Sequence, residues 1–286
     1  MSDASTPSDG DGRRPRDRPR VAFFDFTGCE GDQLQVINLE DRLLDLVEVV
    51  EVVSFREAMT DHSDDYEIAF VEGGVATGHD ERRLTQIRKN ADVVVALGSC
   101  AAFGGINALR NDQDFETVKE RVYGEDADSI TSYPTARPIG DVIAVDYEIP
   151  GCPIDREEFV QAVTALVNGA EPSIPNYPVC LECKFEENTC AFERGETCLG
   201  PITRGGCSAT CVSAGTHCWG CRGMVDHPNE DAYTDVLEAQ GLTTEEVIEE
   251  YQLYWGWQRE QRTVADGGNR PVADDEQRPL GDGGDR

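Results

Sequence analysis

The segment RVAFFDFTGCEGD spans residues 20–32 and joins a short apolar run to a loop that contains a cysteine. Val21–Phe26 has the length and the aromatic and β-branched content of a buried strand, and Thr27–Gly28 is typical of a turn. Similar loops, LGSCAAFGG at residues 97–105 and IPGCP at residues 149–153, come after two later apolar runs. We therefore expect three strands that each lead into a loop bearing a thiol.

Strand patterns alternate with amphipathic helix patterns in this part of the chain. Such alternation predicts an α/β fold with a flavodoxin-like, doubly wound parallel sheet. The predicted strands are Val21–Phe26, Val47–Phe55, Tyr66–Val71, Val93–Leu97 and Val142–Val145. The predicted helices are Leu34–Leu46, Glu81–Lys89, a short helix after Phe103, Asp155–Val167, Glu230–Ala239 and Thr244–Trp257, with residues 111–138 as a surface excursion.

Changes of composition along the chain predict four regions. Residues 1–19 and 262–286 are polar, rich in Asp, Gly and Arg, and without apolar periodicity, which is typical of disordered tails. Residues 20–170 carry the predicted sheet. Residues 171–261 are rich in cysteine, glycine and turns, so we expect a small irregular domain held by metal rather than by apolar burial.

The composition excludes several partners and locations. With 56 acidic against 25 basic residues the formal net charge is −31, and a surface of that sign repels nucleic acid. No run of about 18 apolar residues is present, so the sequence predicts no membrane insertion. The Arg13–Arg14 pair is not followed by the apolar region of an export signal, and we expect a cytoplasmic protein. Such a reducing compartment favours metal ligands over disulfides.

Eight of the eleven cysteines lie between residues 180 and 221, which is enough thiolate for two four-ligand metal centres. Their order divides them into two quartets. The first quartet is Cys180, Cys183, Cys190 and Cys198, and the second is Cys207, Cys211, Cys218 and Cys221. By spacing alone, each quartet suits a 4Fe-4S cluster and structural zinc equally well.

The other three cysteines, Cys29, Cys100 and Cys152, are far apart in sequence, but each follows a predicted strand. Open parallel sheets bind ligands at the carboxyl ends of their strands. We therefore expect these thiols to meet at one edge of the sheet as a third centre. Glycines in the same loops allow the backbone to approach a bulky inorganic cluster.

Asp32 stands three residues after Cys29, where the second cysteine of a C-x-x-C pair would be. A carboxylate can bind iron, although it is a harder ligand than thiolate. Glu30 is a rival for this role. Alternatively, Asp32 caps a helix that begins at Gln33, or the three thiols hold a three-iron cluster.

A row of three centres has a use in electron transfer that a row of zinc ions lacks, which favours iron–sulfur clusters. The sequence contains no Ser-His-Asp pattern, Walker loop or Gly-x-Gly-x-x-Gly motif. It therefore predicts a chain that carries electrons and does not itself make or break substrate bonds. A zinc-stapled, flavodoxin-like scaffold that binds partners without redox activity is the alternative.

Five motifs resemble, in the same order, those of the small subunit of cytoplasmic nickel–iron hydrogenases, in particular the delta subunit of sulfhydrogenases and the gamma subunit of deazaflavin-reducing enzymes. They are TGCEGDQLQVINLED at residues 27–41, GSCAAFGG at 98–105, PGCP at 150–153, CLEC at 180–183 and CLGPITRGGC at 198–207. The resemblance covers residues 20–260. It implies a doubly wound sheet followed by a small irregular Cys-rich iron–sulfur domain.

The resemblance also implies three iron–sulfur clusters, of the 4Fe-4S type, and docking on a large subunit that bears the nickel–iron site. By resemblance, the proximal cluster is held by Cys29, Asp32, Cys100 and Cys152, the medial cluster by Cys207, Cys211, Cys218 and Cys221, and the distal cluster by Cys180, Cys183, Cys190 and Cys198. Family members commonly have cysteine where Asp32 stands. This departure from the family bears on the type and the reduction potential of the proximal cluster.

The implied reaction is electron relay. Hydrogen is split in the large subunit, and electrons pass through the three clusters to a flavin or iron–sulfur subunit that reduces NAD(P) or a deazaflavin. The reverse flow would evolve hydrogen or reduce sulfur. Related quinone-reducing complexes use the same fold for a subunit with only the sheet-edge cluster, and the eight additional cysteines argue against that assignment.

The net charge of −31 predicts a halophilic protein with a solvated acidic surface, and a specific basic partner is the alternative. Mutual repulsion destabilises the compact state, and salt screens it, with a Debye length of roughly 3 Å at 1 M. We therefore expect the melting temperature, measured by scanning calorimetry, to rise steeply from low to molar potassium chloride. Equal melting temperatures at the two concentrations would contradict salt adaptation.

Overall fold

The computed structural model of the protein describes residues 18–265, and a parallel sheet is its central element. The strands are β1 (Arg20–Asp25), β2 (Glu51–Phe55), β3 (Ile68–Glu72), β4 (Val93–Leu97) and β5 (Tyr147–Ile149). Their order is β2-β1-β3-β4-β5, and all neighbouring pairs are parallel. This is the flavodoxin-like order, which confirms the predicted fold class. The predicted tails lie outside the described residues, except at residues 18–19 and 262–265.

Helices cover both faces of the sheet and form much of the C-terminal part. They are α1 (Gly31–Ile37), α2 (Asp41–Val49), α3 (Gly78–Asn90), α4 (Gly98–Phe103), α5 (Phe115–Tyr123), α6 (Arg156–Val167), α7 (Val179–Phe185), α8 (Thr210–Ser213), α9 (Glu230–Ala239) and α10 (Thr244–Ala265). Short 3₁₀ helices lie at Gly105–Asp112, Gly124–Ser129, Ile139–Asp141 and Ala191–Arg194. None of the described helices has both the length and the apolar content of a membrane span.

A separate apolar cluster packs against each face of the sheet. On one face the ring centroid of Phe23 lies 4.3 Å from that of Phe55 and 4.9 Å from that of Phe70, and Phe159 of α6 covers them. On the other face α3 packs through Leu84. Because alternate strand residues point to opposite faces, strands buried on both sides read as continuous apolar runs. This burial fixes the strands, and with them the positions of the loops at their carboxyl ends.

Two sequence predictions near α2 need correction. The predicted helix Leu34–Leu46 is two helices, α1 and α2, separated at Glu40, which has a positive φ of 55°. The predicted strand Val47–Phe55 begins only at Glu51, because the preceding valines belong to the last turn of α2. In a short apolar run, periodicity does not distinguish the end of a helix from the start of a strand.

The predicted strand Val142–Val145 is wrong, because the fifth strand is β5, which begins two residues later. The apolar side chains of this segment instead pack on the face of the sheet that α3 covers. Pairing begins with Asp146, whose backbone N–H donates to the Val94 carbonyl at 3.0 Å and whose carboxylate accepts from the Val94 N–H at 2.7 Å. Apolar content identified a buried segment here but not its conformation.

The remaining predicted helices are present, with small changes of length. Asp155 caps α6, and α9 has the predicted bounds. α10 begins behind a capping box in which Thr243 N–H donates to Glu246 at 2.8 Å and Glu246 N–H donates to Thr243 at 3.3 Å, and it continues past Trp257. Residues 111–138 contain α5, which the sequence pattern did not predict.

The Cys-rich part shares an apolar cluster with the end of α4. Phe103 packs there with Leu199, Met224, Tyr251 and Trp255, all of which are buried. Apolar burial therefore contributes more to this part of the chain than its sequence indicated. The expected domain boundary at residue 171 stays a prediction.

Candidate metal centres

The structure brings three thiols together at the carboxyl edge of the sheet. Cys29 follows β1, Cys100 lies in α4 directly after β4, and Cys152 follows β5. Burial raises the pKa of the Cys100 thiol to about 12, and the charges of Cys152, Asp32 and Cys29 contribute to this shift. The four groups, which we call the sheet-edge group, are therefore close enough to interact electrostatically.

Asp32 is only 7% exposed, and its carboxylate does not cap its own helix. Oδ1 accepts a hydrogen bond from the backbone N–H of Ile154 at 2.8 Å. The alternative that Asp32 is a helix cap is wrong, because α1 begins at Gly31 behind Glu30 and has no side-chain cap. Burial, with a contribution from nearby Glu72, raises the pKa of Asp32 to about 7.

Glu72 holds Asp32 in place, a role that no sequence motif indicated. It ends β3, is 3% exposed, and accepts the backbone N–H groups of Asp32 at 3.2 Å and of Gln33 at 2.8 Å. These bonds fix the first turn of α1 against the end of a central strand. The signal available in the sequence was a single charged residue at the end of an apolar run, IAFVE at residues 68–72.

Two glycines leave room for the sheet-edge group. Gly98 has a φ of +81°, and a Cβ atom there would overlap Oδ2 of Asp32 and lie 3.0 Å from its Oδ1. Gly105 has a φ of +49°, and a Cβ there would lie 2.9 Å from the backbone nitrogen of Cys100. Side chains at these positions would combine backbone strain with overlap, so glycine is required for the observed packing.

The second quartet lines one cavity in the Cys-rich part. All four of its thiols border this cavity, namely Cys207, Cys211, Cys218 and Cys221. Apolar walls come from Val179, Val212 and Trp219. Burial raises the pKa of the Cys221 thiol to about 12, with smaller contributions from neighbouring cysteines.

Glu182 holds the loop that leads into this cavity. Its carboxylate accepts the backbone N–H groups of Gly206, of Cys207 at 3.3 Å and of Ala209 at 3.2 Å. The Tyr177 hydroxyl donates to the same carboxylate at 3.0 Å. Glu182 lies in the C-x-x-C motif of the first quartet, so α7 anchors a loop of the second quartet. The sequence analysis did not assign it a role.

The first quartet is grouped around α7 and the turn that follows it. Cys180 and Cys183 lie one helical turn apart on α7. Burial raises the pKa of the Cys180 thiol to about 11, with contributions from Cys198, Cys183 and Cys190. Cys198 is buried, whereas Cys190 is exposed. A Cβ at Gly200 would stand 3.4 Å from the Cys198 sulfur and 3.5 Å from that of Cys180, so glycine keeps the space between these thiols open.

The three groups form a row with the second quartet in the middle. The backbone N–H of Cys152, in the sheet-edge group, lies near enough to the sulfur of Cys221 in the second quartet to lower the pKa of that thiol. The backbone N–H of Cys218 in that quartet donates to the sulfur of Cys198 in the first quartet, at 3.3 Å. A backbone N–H of one group therefore acts on a sulfur of the next group in each neighbouring pair.

Further side chains join the Cys-rich part to the sheet edge. The hydroxyl of Ser99, next to Cys100, donates to the carbonyl oxygen of Cys221. The hydroxyl of Tyr254 of α10 lowers the pKa of the Cys152 thiol, which burial raises. Neither residue was identified from the sequence, because their partners lie far away along the chain.

The donor sets fit iron–sulfur clusters. Each group offers four sulfur or oxygen donors, with backbone N–H groups beside the sulfurs. Burial raises the pKa of bare thiols such as Cys100 and Cys221, and cationic iron would supply the positive charge that lets them bind as thiolates. Within residues 18–265, no three His, Cys, Asp or Glu side chains converge closely enough to hold a single metal ion.

Sequence comparisons match most of the chain. The family model described as NADH ubiquinone oxidoreductase, 20 Kd subunit, matches residues 29–166. Sulfhydrogenase 2 subunit delta of Pyrococcus furiosus is 36% identical over 243 residues, which cover 83% of this chain and 100% of that protein. A subunit of the F420-non-reducing hydrogenase vhu of Methanocaldococcus jannaschii is 35% identical over 238 residues, which cover 72% of this chain and 82% of that protein.

Solved structures have the same fold. A chain of an NAD+-reducing [NiFe]-hydrogenase in its H2-reduced state is 30% identical with a TM-score of 0.51, over 55% of this chain and 96% of that chain. A chain of the [NiFeSe] hydrogenase from Desulfovibrio vulgaris Hildenborough is 18% identical with a TM-score of 0.52, over 76% of this chain and 97% of that chain. The second likeness shows a shared fold alone.

Gly98→Ala should displace the Asp32 carboxylate, because the new Cβ would overlap it. We expect the variant to lose roughly a third of the bound iron, one cluster in three, as measured by iron analysis after anaerobic purification. Gly169→Ala is the matched control, because Gly169 also has a positive φ (+67°) but nothing within 4 Å of an added Cβ. Gly169→Ala should cost only the backbone strain, roughly 1 to 2 kcal/mol, and should keep its iron. A Gly98→Ala protein with the full iron content would contradict the assigned packing.

Proposed function

This chain belongs to the family of nickel–iron hydrogenase small subunits, and on that premise we propose that it relays electrons between a large subunit bearing the nickel–iron site and a second, electron-accepting subunit. The active site then lies on the large subunit. The accepting subunit would carry flavin or iron–sulfur centres and reduce NAD(P) or a deazaflavin. A cytoplasmic location is part of the same proposal.

One observation carries the proposal: three four-donor groups lie in a row, and a hydrogen bond joins each neighbouring pair, from the Ser99 hydroxyl to the Cys221 carbonyl oxygen and from the Cys218 N–H to the Cys198 sulfur. The proposed proximal cluster is held by Cys29, Asp32, Cys100 and Cys152. The proposed medial cluster is held by Cys207, Cys211, Cys218 and Cys221, and the proposed distal cluster by Cys180, Cys183, Cys190 and Cys198. We propose the 4Fe-4S type for all three, because each group supplies four ligands.

When bound, each cluster accepts and releases one electron at a time. The chain's own residues set the conditions for this exchange. Apolar neighbours such as Val179 and Val212 exclude water from the medial cavity, which strengthens every electrostatic interaction inside it. The backbone N–H groups of Asn107 and Gly220 oppose the rise in pKa that burial causes at the Cys100 and Cys218 thiols, and N–H groups near the sulfurs stabilise the more negative, reduced state.

The exposure of the ligands supports a direction for the relay. Cys29 in the sheet-edge group and Cys190 in the first quartet are exposed, and these groups form the two ends of the row. The middle quartet contains no exposed cysteine. We propose that the large subunit covers the end at Cys29 and that the electron-accepting subunit approaches the end at Cys190.

The extent of the sequence matches separates this proposal from a quinone-reducing role. The match to the model described as NADH ubiquinone oxidoreductase, 20 Kd subunit, ends at residue 166, before the first of the eight clustered cysteines. The similarity to the hydrogenase subunits continues over 243 and 238 residues. The additional cysteines therefore fall in the part that the hydrogenase relatives share.

Metal analysis of anaerobically purified protein tests the electron-relay proposal against the zinc-stapled scaffold. We expect about twelve irons and about twelve acid-labile sulfides per chain, from three cubane clusters, with zinc only in traces. The absorption band near 400 nm should bleach on reduction by dithionite. Two zinc ions per chain without labile sulfide would contradict the proposal.

Asp32 is proposed as the fourth ligand of the proximal cluster. Oxygen binds this iron less covalently than thiolate does, so the corner that Asp32 holds should be the labile one. Asp32→Ala should give a three-iron signal in electron paramagnetic resonance after mild oxidation, whereas Asp32→Cys should keep four irons.

Glu30→Ala is the matched control for Asp32→Ala, because Glu30 lies two residues away and is the rival carboxylate. It should retain the four-iron cluster. If Glu30→Ala lost one iron and Asp32→Ala did not, Glu30 would be the ligand and the role proposed for Asp32 would be wrong.

A further inference from the structure

Arg222 is a buried cation that directly follows a proposed ligand of the medial cluster. The residue is 1% exposed, and its Nη2 donates to Oε1 of Glu158 on α6 at 2.6 Å. Glu158 is 7% exposed, and its Oε2 has no hydrogen-bond partner among the described residues. Because a buried ion pair is costly to desolvate, its position beside a proposed ligand indicates a functional role.

The remaining donors of Arg222 join the two parts of the chain. Nη1 donates to the carbonyl oxygen of Pro150 at 2.6 Å, and Nε donates to that of Gly205 at 2.6 Å. Pro150 lies two residues before Cys152, and Gly205 lies two residues before Cys207. One rigid guanidinium therefore connects a backbone segment of the sheet-edge group with a backbone segment of the second quartet.

The ion pair of Arg222 and Glu158 packs against the loop of the second quartet at Gly206. Gly206 has a φ of +105°, and a Cβ there would overlap Nη2 of Arg222 and lie 2.7 Å from Oε1 of Glu158. Arg222 borders the medial cavity, whereas Glu158 does not. The positive member of the pair is thus the one nearer to the thiols, and it opposes the burial that raises the pKa of Cys207.

We propose that Arg222 is a positioning residue for the relay, and this inference rests on the proposed function. Arg222 fixes the proximal and medial clusters relative to one another, and its charge raises the reduction potential of the medial cluster. Reduction adds one electron, hence one negative charge, to the medial cluster, and the electron later passes to the distal cluster. No bond forms or breaks and no proton is needed. A nearby cation in a water-poor site stabilises the reduced form.

The test is a potentiometric titration of the purified holo-complex, followed by electron paramagnetic resonance, with Arg222→Met and Arg222→Lys. Arg222→Met should lower the midpoint potential of the medial cluster. Arg222→Lys retains the charge but loses the fork of donors, so its potential should lie closer to that of the wild type. Equal shifts in the Met and Lys variants would overturn the role of the charge.

Arg194→Met is the matched control. Arg194 also donates to backbone carbonyls of two cysteine-bearing loops, that of Thr189, next to Cys190, at 2.9 Å and that of Thr216, between Cys211 and Cys218, at 2.6 Å, but its charge acts on Cys198 and Cys190 of the first quartet. Its replacement should shift the distal potential and leave the medial one unchanged. A medial shift as large as that of Arg222→Met would show that the effect is not specific to Arg222.

Glu158→Gln keeps the test decisive if Arg222→Met does not fold. It preserves the shape of the pair while removing the compensating negative charge, so the medial potential should rise. This inference would be overturned, and the proposed function would stand, if Arg222→Met and Glu158→Gln both kept their clusters with an unshifted medial potential. If Arg222→Met is not obtained, the same result in Glu158→Gln alone would overturn it. Absence of iron–sulfur signals in the wild-type complex would instead contradict the proposed function itself.

Discussion

The parallel strands of the sheet all end at the same edge, and this constraint decides where the chemistry of the molecule lies. Cys29, Cys100 and Cys152 come after three different strands, so the packing of two apolar faces is what brings them together. The Cys-rich part attaches to that edge through hydrogen bonds from Ser99 to the Cys221 carbonyl oxygen and from Arg222 to the Pro150 carbonyl oxygen. The proposed row of redox centres would need fixed spacing, and the sheet supplies a rigid reference for it.

Buried or half-buried charges hold the loops that apolar packing cannot hold. Loops of glycine and cysteine bury little side chain, yet their backbone N–H and C=O groups still require partners. Glu72, Glu182 and Arg222 supply these partners, each to at least two backbone groups. Removing one of them would leave several groups unsatisfied, at about 1 to 3 kcal/mol each. The same charges also set the electrostatic environment of the thiols.

Sequence patterns predicted the structural features that a single segment of the chain determines. The apolar runs gave four of the five strands to within a few residues, and the alternation gave the parallel sheet. Prediction from sequence failed at Val142–Val145, where burial against α3 and pairing with β4 give the same apolar signal. It also missed Glu72, Glu182 and Arg222, because the role of a charge that binds backbone groups is recognised only from partners that lie far away in sequence. The structure likewise shows a contact of Asp32 with Ile154 that no local pattern could indicate.

The central claim is that this chain holds three iron–sulfur clusters in a row, and anomalous diffraction from anaerobically grown crystals tests it most directly. Data collected on both sides of the iron absorption edge should give three separate iron peaks. One should lie beside Cys29, Asp32, Cys100 and Cys152, one in the cavity of the second quartet, and one beside α7 among the first quartet. Single peaks at the zinc edge within the two quartets, with no iron at the sheet edge, would contradict the account.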